Sequence, residues 1–228
     1  MTAPLPPPTG PFDIDEAFRR LREAVAPYPK AAMFDLRDRG HDTPFEQLVG
    51  SLISARTRDE TTLESSLRLF ATARTPAAMA ALEEGEIAGL LHGVTFAEAK
   101  AHDIRALSRR IVKDHGGAVP DTMAGLTAFR GVGPKIAALT LAVGFGRPAI
   151  AVDVHVHRVT NRWGTVATAT PEATMAALAG VLPERYWIEI NERLVPFGKW
   201  VCTGGAPPRC STCPLLAMCR RVGVTKHR

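Results

Sequence analysis

All four cysteines of this chain, Cys202, Cys210, Cys213 and Cys219, lie near its C-terminal end. Their spacing is C-x7-C-x2-C-x5-C. So tight a group constrains the fold around it. Disulfide frameworks belong to oxidising compartments, and four cysteines packed this closely resemble one metal site more than two bridges. Structural zinc usually uses two short cysteine pairs separated by a longer loop. Here only Cys210 and Cys213 form such a pair, with one thiol reaching in from either side. The pattern favours an iron–sulfur cluster, with zinc as the alternative. Either would staple a C-terminal segment that has little apolar content of its own.

The remaining chain must therefore build its own core. Of 228 residues, 46 % are hydrophobic and 22 % charged, which suits a folded chain and excludes wholesale disorder. No apolar run approaches the roughly 18–20 residues that would span a bilayer. The opening MTAPLPPPTG has no charged side chain, so it lacks the basic start of a secretion signal, and a cytoplasmic location is expected. The net charge of +5 suits a polyanionic partner such as nucleic acid.

Hydrophobic periodicity predicts helices almost throughout. Ile14, Phe18, Leu21 and Val25 form one face behind a capping Asp13 or Asp15. Thr43-Pro44, with Glu46 three residues after the threonine, reads as a capping box for a helix bearing Phe45, Leu48, Val49, Leu52 and Ile53. Further helices are expected over 61–71, 76–82, 84–91, 97–115, 122–129, 134–143, 171–182 and 184–195. Val152, Val154 and Val156 alternate with Asp153, His155 and His157 in the manner of a strand, but a lone strand has no partner, so this stretch is read as a helix start. The Pro-rich residues 1–12 read as a disordered tail.

Arg130-Gly131-Val132-Gly133-Pro134-Lys135 joins two short helices. Such a glycine turn aims backbone N–H groups outward at a helix start and makes an anion site. It is neither a Walker loop nor a dinucleotide fingerprint, because Ile136 occupies the third glycine's place. Lys135 sits in the first helical turn, where the local field disfavours a cation. A neutral amine is what covalent amine catalysis needs. Asp153 either caps the next helix or stabilises a developing sugar cation.

The segment Leu126–Ala137, followed by Val152–Arg162, resembles the helix–hairpin–helix plus Gly/Pro-Asp signature of DNA glycosylases, and with the four cysteines the chain resembles the endonuclease III family over roughly residues 13–221. The resemblance implies an all-α fold of two helical lobes with a DNA cleft between them. One lobe would be a six-helix barrel over 37–145 carrying the hairpin. The other would join 13–36 to 146–228 and hold a [4Fe–4S] cluster on Cys202, Cys210, Cys213 and Cys219. It implies removal of oxidised pyrimidines from duplex DNA followed by strand nicking. Lys135 would be the nucleophile that forms a Schiff base, and Asp153 would assist base departure. Gly131, Val132 and Gly133 would bind backbone phosphate, with a monovalent cation on the hairpin carbonyls.

The target base must leave the helix stack, and the resemblance assigns filling of the gap to Arg56, where many relatives carry Gln, with Phe96 as a second wedge. His155 and Arg209 are further DNA-contact candidates by the same resemblance. The first cysteine gap is seven residues, where relatives commonly have six. The expected partner is double-stranded DNA with a damaged base or an abasic site, met by a monomer at the nucleoid, with no membrane. Two rival readings are a DNA-binding relative without chemistry and an adenine glycosylase. The second would carry Glu where this chain has Ser51. A small iron–sulfur electron carrier would need no hairpin.

Overall fold

Three helices in this chain start the same way, and the reason is local. Thr43-Pro44, Thr75-Pro76 and Thr170-Pro171 each place threonine at the cap and proline at the first helical position. Each threonine side chain accepts the N–H three residues on, from Glu46, Ala78 and Ala173 respectively, which satisfies a donor the helix cannot. The computed structural model describes residues 5–228 and, among these, contains helices and no strand. The α-helices are α1 Ile14–Val25, α2 Ala32–Asp38, α3 Pro44–Ser54, α4 Asp59–Thr72, α5 Pro76–Ala81, α6 Glu84–Leu90, α7 Ala97–His115, α8 Met123–Thr127, α9 Pro134–Leu139, α10 Val154–Trp163, α11 Pro171–Val181 and α12 Glu189–Trp200. No helix among the described residues is long and apolar enough to cross a membrane.

The chain divides into two compact units. One is contiguous, Ala32–Ala149, and holds α2 to α9. Its interior contains Phe34, Leu36, Leu48, Ile53, Leu69, Met79, Ile87 and Ile104, all fully buried or nearly so. α3 runs through this core with nine of its eleven residues buried. Past α9 the helix widens into a π-type turn over Thr140–Gly144, closed by Phe145 N–H donating to the Thr140 carbonyl at 3.2 Å. That turn packs on α3, and Gly144 lets it. A Cβ at this position would lie 2.8 Å from the Pro44 Cα.

The second unit combines the residues up to Ala31 with Ile150–Arg228. α1 packs on α12 and buries Phe18, Leu21 and Val25 in a core that includes residues of α10 and α12. Phe18 stacks on Tyr186 with ring centroids 4.0 Å apart, and Arg22 grips Glu189 through two bonds of 2.7 Å.

Several sequence expectations need correction. α2 is absent from the sequence reading, which runs from Pro29 to Thr43 without an element. It forms because Met33, Phe34 and Leu36 find the core. The helix expected over 184–195 is a short 3₁₀ turn, Glu184–Tyr186, followed by α12 starting at Glu189. The first four residues of the expected disordered tail lie outside the described residues. The rest of that segment is tied down. Thr9 N–H donates to the Ala217 carbonyl at 2.8 Å, and Phe12 stacks on Trp163 at 4.7 Å. The valine alternation at 152–156 belongs to an extended approach that turns helical at Val154.

Candidate active site

The glycine hairpin lies between α8 and α9 in the contiguous unit. Gly131 has φ +79°, which an L side chain rarely adopts, and a Cβ there would meet the Asp103 carboxylate at 3.0 Å. Gly133 is different. Its φ is −90°, open to any residue, and a Cβ would find nothing within 4 Å. Among the described residues nothing requires a glycine at 133, and its backbone is not covered by a side chain. Val132 between them is buried and anchors the turn, its N–H donating to the Phe129 carbonyl at 3.2 Å. Pro134 opens α9 and Lys135 follows in its first turn. Lys135 is half-buried and has no hydrogen bond or ion pair among the described residues.

Asp153 lies in the other unit. The segment leading to it, Ala149–Val152, is buried, and Asn191 of α12 donates to the Ala151 carbonyl at 3.3 Å. Asp153 then caps α10, its Oδ1 accepting the N–H groups of His155 and Val156 at 2.9 Å each. Both bonds fall on one oxygen, so capping and chemistry are compatible: Oδ1 fixes the carboxylate while Oδ2 has no bonded partner among the described residues. The His155 ring packs over Gly198, where a Cβ would lie 2.8 Å from its Nδ1. Arg158 donates to that Nδ1 at 3.1 Å and to the Gly198 carbonyl at 2.8 Å.

The four cysteines are unpaired thiols that line one cavity of about 380 Å³, counting its open mouth. Trp163, Phe197, Val201 and Leu216 make its walls apolar. Burial pushes the Cys213 thiol up to about 12 and that of Cys219 to about 11, so a bound cation is what would hold them as thiolates. Donors already face the sulfurs: Arg162 Nη1 stands 3.3 Å from Cys202 Sγ, and Arg221 N–H 3.4 Å from Cys219 Sγ. Among the described residues no three His, Cys, Asp or Glu side chains gather closely enough to hold one ion. Four thiols lining one cavity are a donor set that fits a metal centre. Arg209 lines the cavity rim, exposed.

Comparison with known proteins agrees with this arrangement. Residues 49–184 match the model of the HhH-GPD superfamily base excision DNA repair proteins. The endonuclease III of Thermotoga maritima is 40 % identical over 198 residues, covering 87 % of this chain and 89 % of that protein. The chain belongs to the endonuclease III family. Two solved structures of family members superpose on it at 28 % identity. A non-covalent endonuclease III–DNA complex has TM-score 0.79, over 91 % of this chain and 94 % of that one. A trapped endonuclease III–DNA covalent intermediate has TM-score 0.73, over 90 % and 96 %. As an endonuclease III homologue the chain is a base excision repair enzyme, a DNA glycosylase with AP lyase activity, and a DNA-binding protein.

Endonuclease III membership gives meaning to two strained residues. Among the described residues only Arg56, Phe96 and Arg221 combine a side chain with positive φ, and such outliers gather at functional sites. Arg56 (φ 56°) follows α3, exposed, with no bonded partner among the described residues. Phe96 (φ 59°) precedes α7 with 60 % of its surface in solvent. A core role for Phe96 is thereby excluded. One residue of interest escapes the sequence reading altogether. Lys100 is 6 % exposed and shares a buried face of α7 with Ile104, Leu107 and Ile111. A lysine at helical spacing from three core aliphatics was the available signal.

Proposed function

We propose that this chain excises oxidised pyrimidines from duplex DNA and cleaves the strand at the resulting abasic site through a Schiff base on Lys135. The observation that carries the reading is an amine without a counter-ion, set in the first helical turn behind a glycine whose backbone is left bare. The Lys135 amine attacks the anomeric carbon of the damaged nucleotide as the glycosidic bond breaks, and the bonding pair leaves with the base. Asp153 stabilises the positive charge that develops on the sugar and takes part in the proton transfers that follow. The C1′–O4′ bond then breaks, O4′ taking the proton that the nitrogen gives up, which leaves an open-chain Schiff base, and loss of the C2′ proton expels the 3′ phosphate by β-elimination. Water finally hydrolyses the imine and returns the amine.

Gly131, Val132 and Gly133 hold backbone phosphate by their N–H groups, with a monovalent cation on the hairpin carbonyls. Arg56 and Phe96 fill the space left by the extruded nucleotide, and His155 and Arg209 lie beside the DNA. Cys202, Cys210, Cys213 and Cys219 hold a [4Fe–4S] cluster, which when bound supplies a structural cross-link for the C-terminal segment. The contiguous unit, 32–149 rather than 37–145, is the barrel lobe, and the unit that joins the residues up to 31 with 150–228 is the cluster lobe. The enzyme works as a monomer on a duplex carrying a damaged base or an abasic site, at the nucleoid in the cytoplasm. An adenine-glycosylase reading is disfavoured, because Ser51 is a fully buried hydroxyl where that chemistry would use a carboxylate.

Borohydride trapping tests the proposal. The protein and its Lys135→Ala variant are mixed with a duplex containing one abasic site. A covalent adduct with the parent alone is the expected result. Absence of an adduct with tight binding retained would replace the lyase by a monofunctional glycosylase or by a DNA-binding relative without chemistry.

A further inference from the structure

The loop after α3 and the loop before α7 each contain a residue with left-handed backbone, Arg56 and Phe96, and one side chain joins them. Lys100 Nζ donates to the carbonyls of Ile53 at 2.6 Å and Ala55 at 2.7 Å, and to Thr57 Oγ1 at 3.0 Å. Those acceptors bracket Arg56 on both sides. The three bonds use all three protons of the ammonium group. α3 has no basic residue in its last turn, so Lys100 brings from another helix the cation that a helix C-terminus favours. Meanwhile the Lys100 N–H donates to the Phe96 carbonyl at 3.0 Å, the first hydrogen bond of α7. The turn before Phe96 is fixed in its own way. Arg68 of α4 donates to the carbonyls of Leu90 and His92. One residue thus has its backbone on Phe96 and its side chain around Arg56, and both of those residues are exposed.

We infer that Lys100 is a positioning residue that locks the Arg56 turn in its left-handed form and couples it to the start of α7, so that Arg56 and Phe96 are presented to the duplex as one rigid pair. The inference rests on the reading of Arg56 as a gap-filling residue. A left-handed arginine or phenylalanine is costly in isolation and persists only where its surroundings over-determine it. Here the over-determination is the set of bonds around Lys100. A preset pair needs no ordering when the nucleotide leaves the stack, which is the step such residues accelerate.

The test compares Lys100→Met, Arg56→Ala and the double variant as folded proteins, each checked by its thermal melt. Two single-turnover rates are measured. One is base release from a duplex with an oxidised pyrimidine, which requires extrusion. The other is borohydride trapping at a preformed abasic site, which needs Lys135 but no intact base to be expelled. Lys100→Met is expected to slow base release by about ten- to a hundredfold while trapping changes by less than about threefold. In the double variant base release should be slowed by much less than the product of the two single effects, since both changes disable the Arg56 turn. Multiplying effects, or a folded Lys100→Met with parental base release, would overturn the inference and leave the Arg56 reading standing. Parental base release in Arg56→Ala would overturn that reading and this inference with it. If Lys100→Met does not fold, Thr57→Val removes one of the three acceptors without emptying the core. A slowing seen only when Arg56 is present supports the inference, and an unchanged rate overturns it.

Discussion

Arg74 Nε donates to Glu46 Oε1 at 2.7 Å, joining a guanidinium that is 53 % exposed to a carboxylate that is fully buried. His41 Nδ1 reaches the same oxygen at 2.8 Å, and the Thr43 hydroxyl donates to Oε2 at 2.7 Å. Burial alone pushes the Glu46 carboxyl up, but the bonds from Arg74, His41 and Thr43 outweigh it and hold the group below its ordinary range. A carboxylate depressed in the folded state stabilises above its unfolded value, and that contribution is lost as pH falls through the folded one. Urea unfolding should therefore show the parent more stable than Glu46→Gln at pH 6. The gap should narrow as the pH is lowered below 4.5. A gap independent of pH would mean that the charge of Glu46 does not matter.

Two glycines should behave oppositely when given a methyl group. Gly144→Ala forces a Cβ to 2.8 Å from Pro44 Cα and 3.2 Å from Gln47 Cβ, so backbone must shift, at a cost of about 1–3 kcal/mol. A lowered melting temperature with ordinary DNA affinity is expected. Gly133→Ala meets open space and should leave the melt within about 1 °C while weakening duplex binding measured by fluorescence anisotropy. Equal DNA affinity in Gly133→Ala would remove the hairpin backbone from the interface.

Capping and chemistry at Asp153 can be separated. Asparagine caps a helix about as well as aspartate, so Asp153→Asn should keep the bonds to His155 and Val156 and melt normally. Base release should nonetheless slow by roughly a hundredfold or more, the scale seen when a transition-state charge partner is lost. Asp153→Ala should add about 1 kcal/mol of destabilisation from the lost cap. A normal rate in the Asn variant would confine Asp153 to capping.

Burial pushes the Lys100 amine down to about 8 from 10.5. Between those values the unfolded chain keeps a proton that the folded chain has released. Stability contributed by this residue thus rises with pH over that window and is flat below it. The difference in denaturation midpoint between parent and Lys100→Met should move in the parent's favour between pH 8 and pH 10. A difference constant across that range would show that Lys100 stays protonated in the fold.

Much of this was legible because local chemistry and global fold agree. Thr43, Pro44 and Glu46 announce a capping box, and the box is there. The glycine turn, Lys135 behind it and the four cysteines are continuous in the sequence, so spacing alone exposes them. What escaped depends on contacts between distant residues. α2 has no capping signal and exists because Phe34 and Leu36 are swallowed by the core. The π-type turn at Thr140–Gly144 follows from its fit to α3. Lys100 reads as one more surface cation until its three acceptors, from 43 to 47 positions away, are seen.

The discontinuity of the second unit has a consequence during synthesis. The contiguous unit is complete once Ala149 has left the ribosome, and its core can close at that point. α1 precedes the other described helices in the chain, yet the helix it packs on is α12. Its apolar face must wait, uncovered, through the production of more than a hundred residues. That long-range closure also gathers the cysteine-bearing end, so the proposed metal centre would have to be filled in the interval when the last contacts of the chain are made.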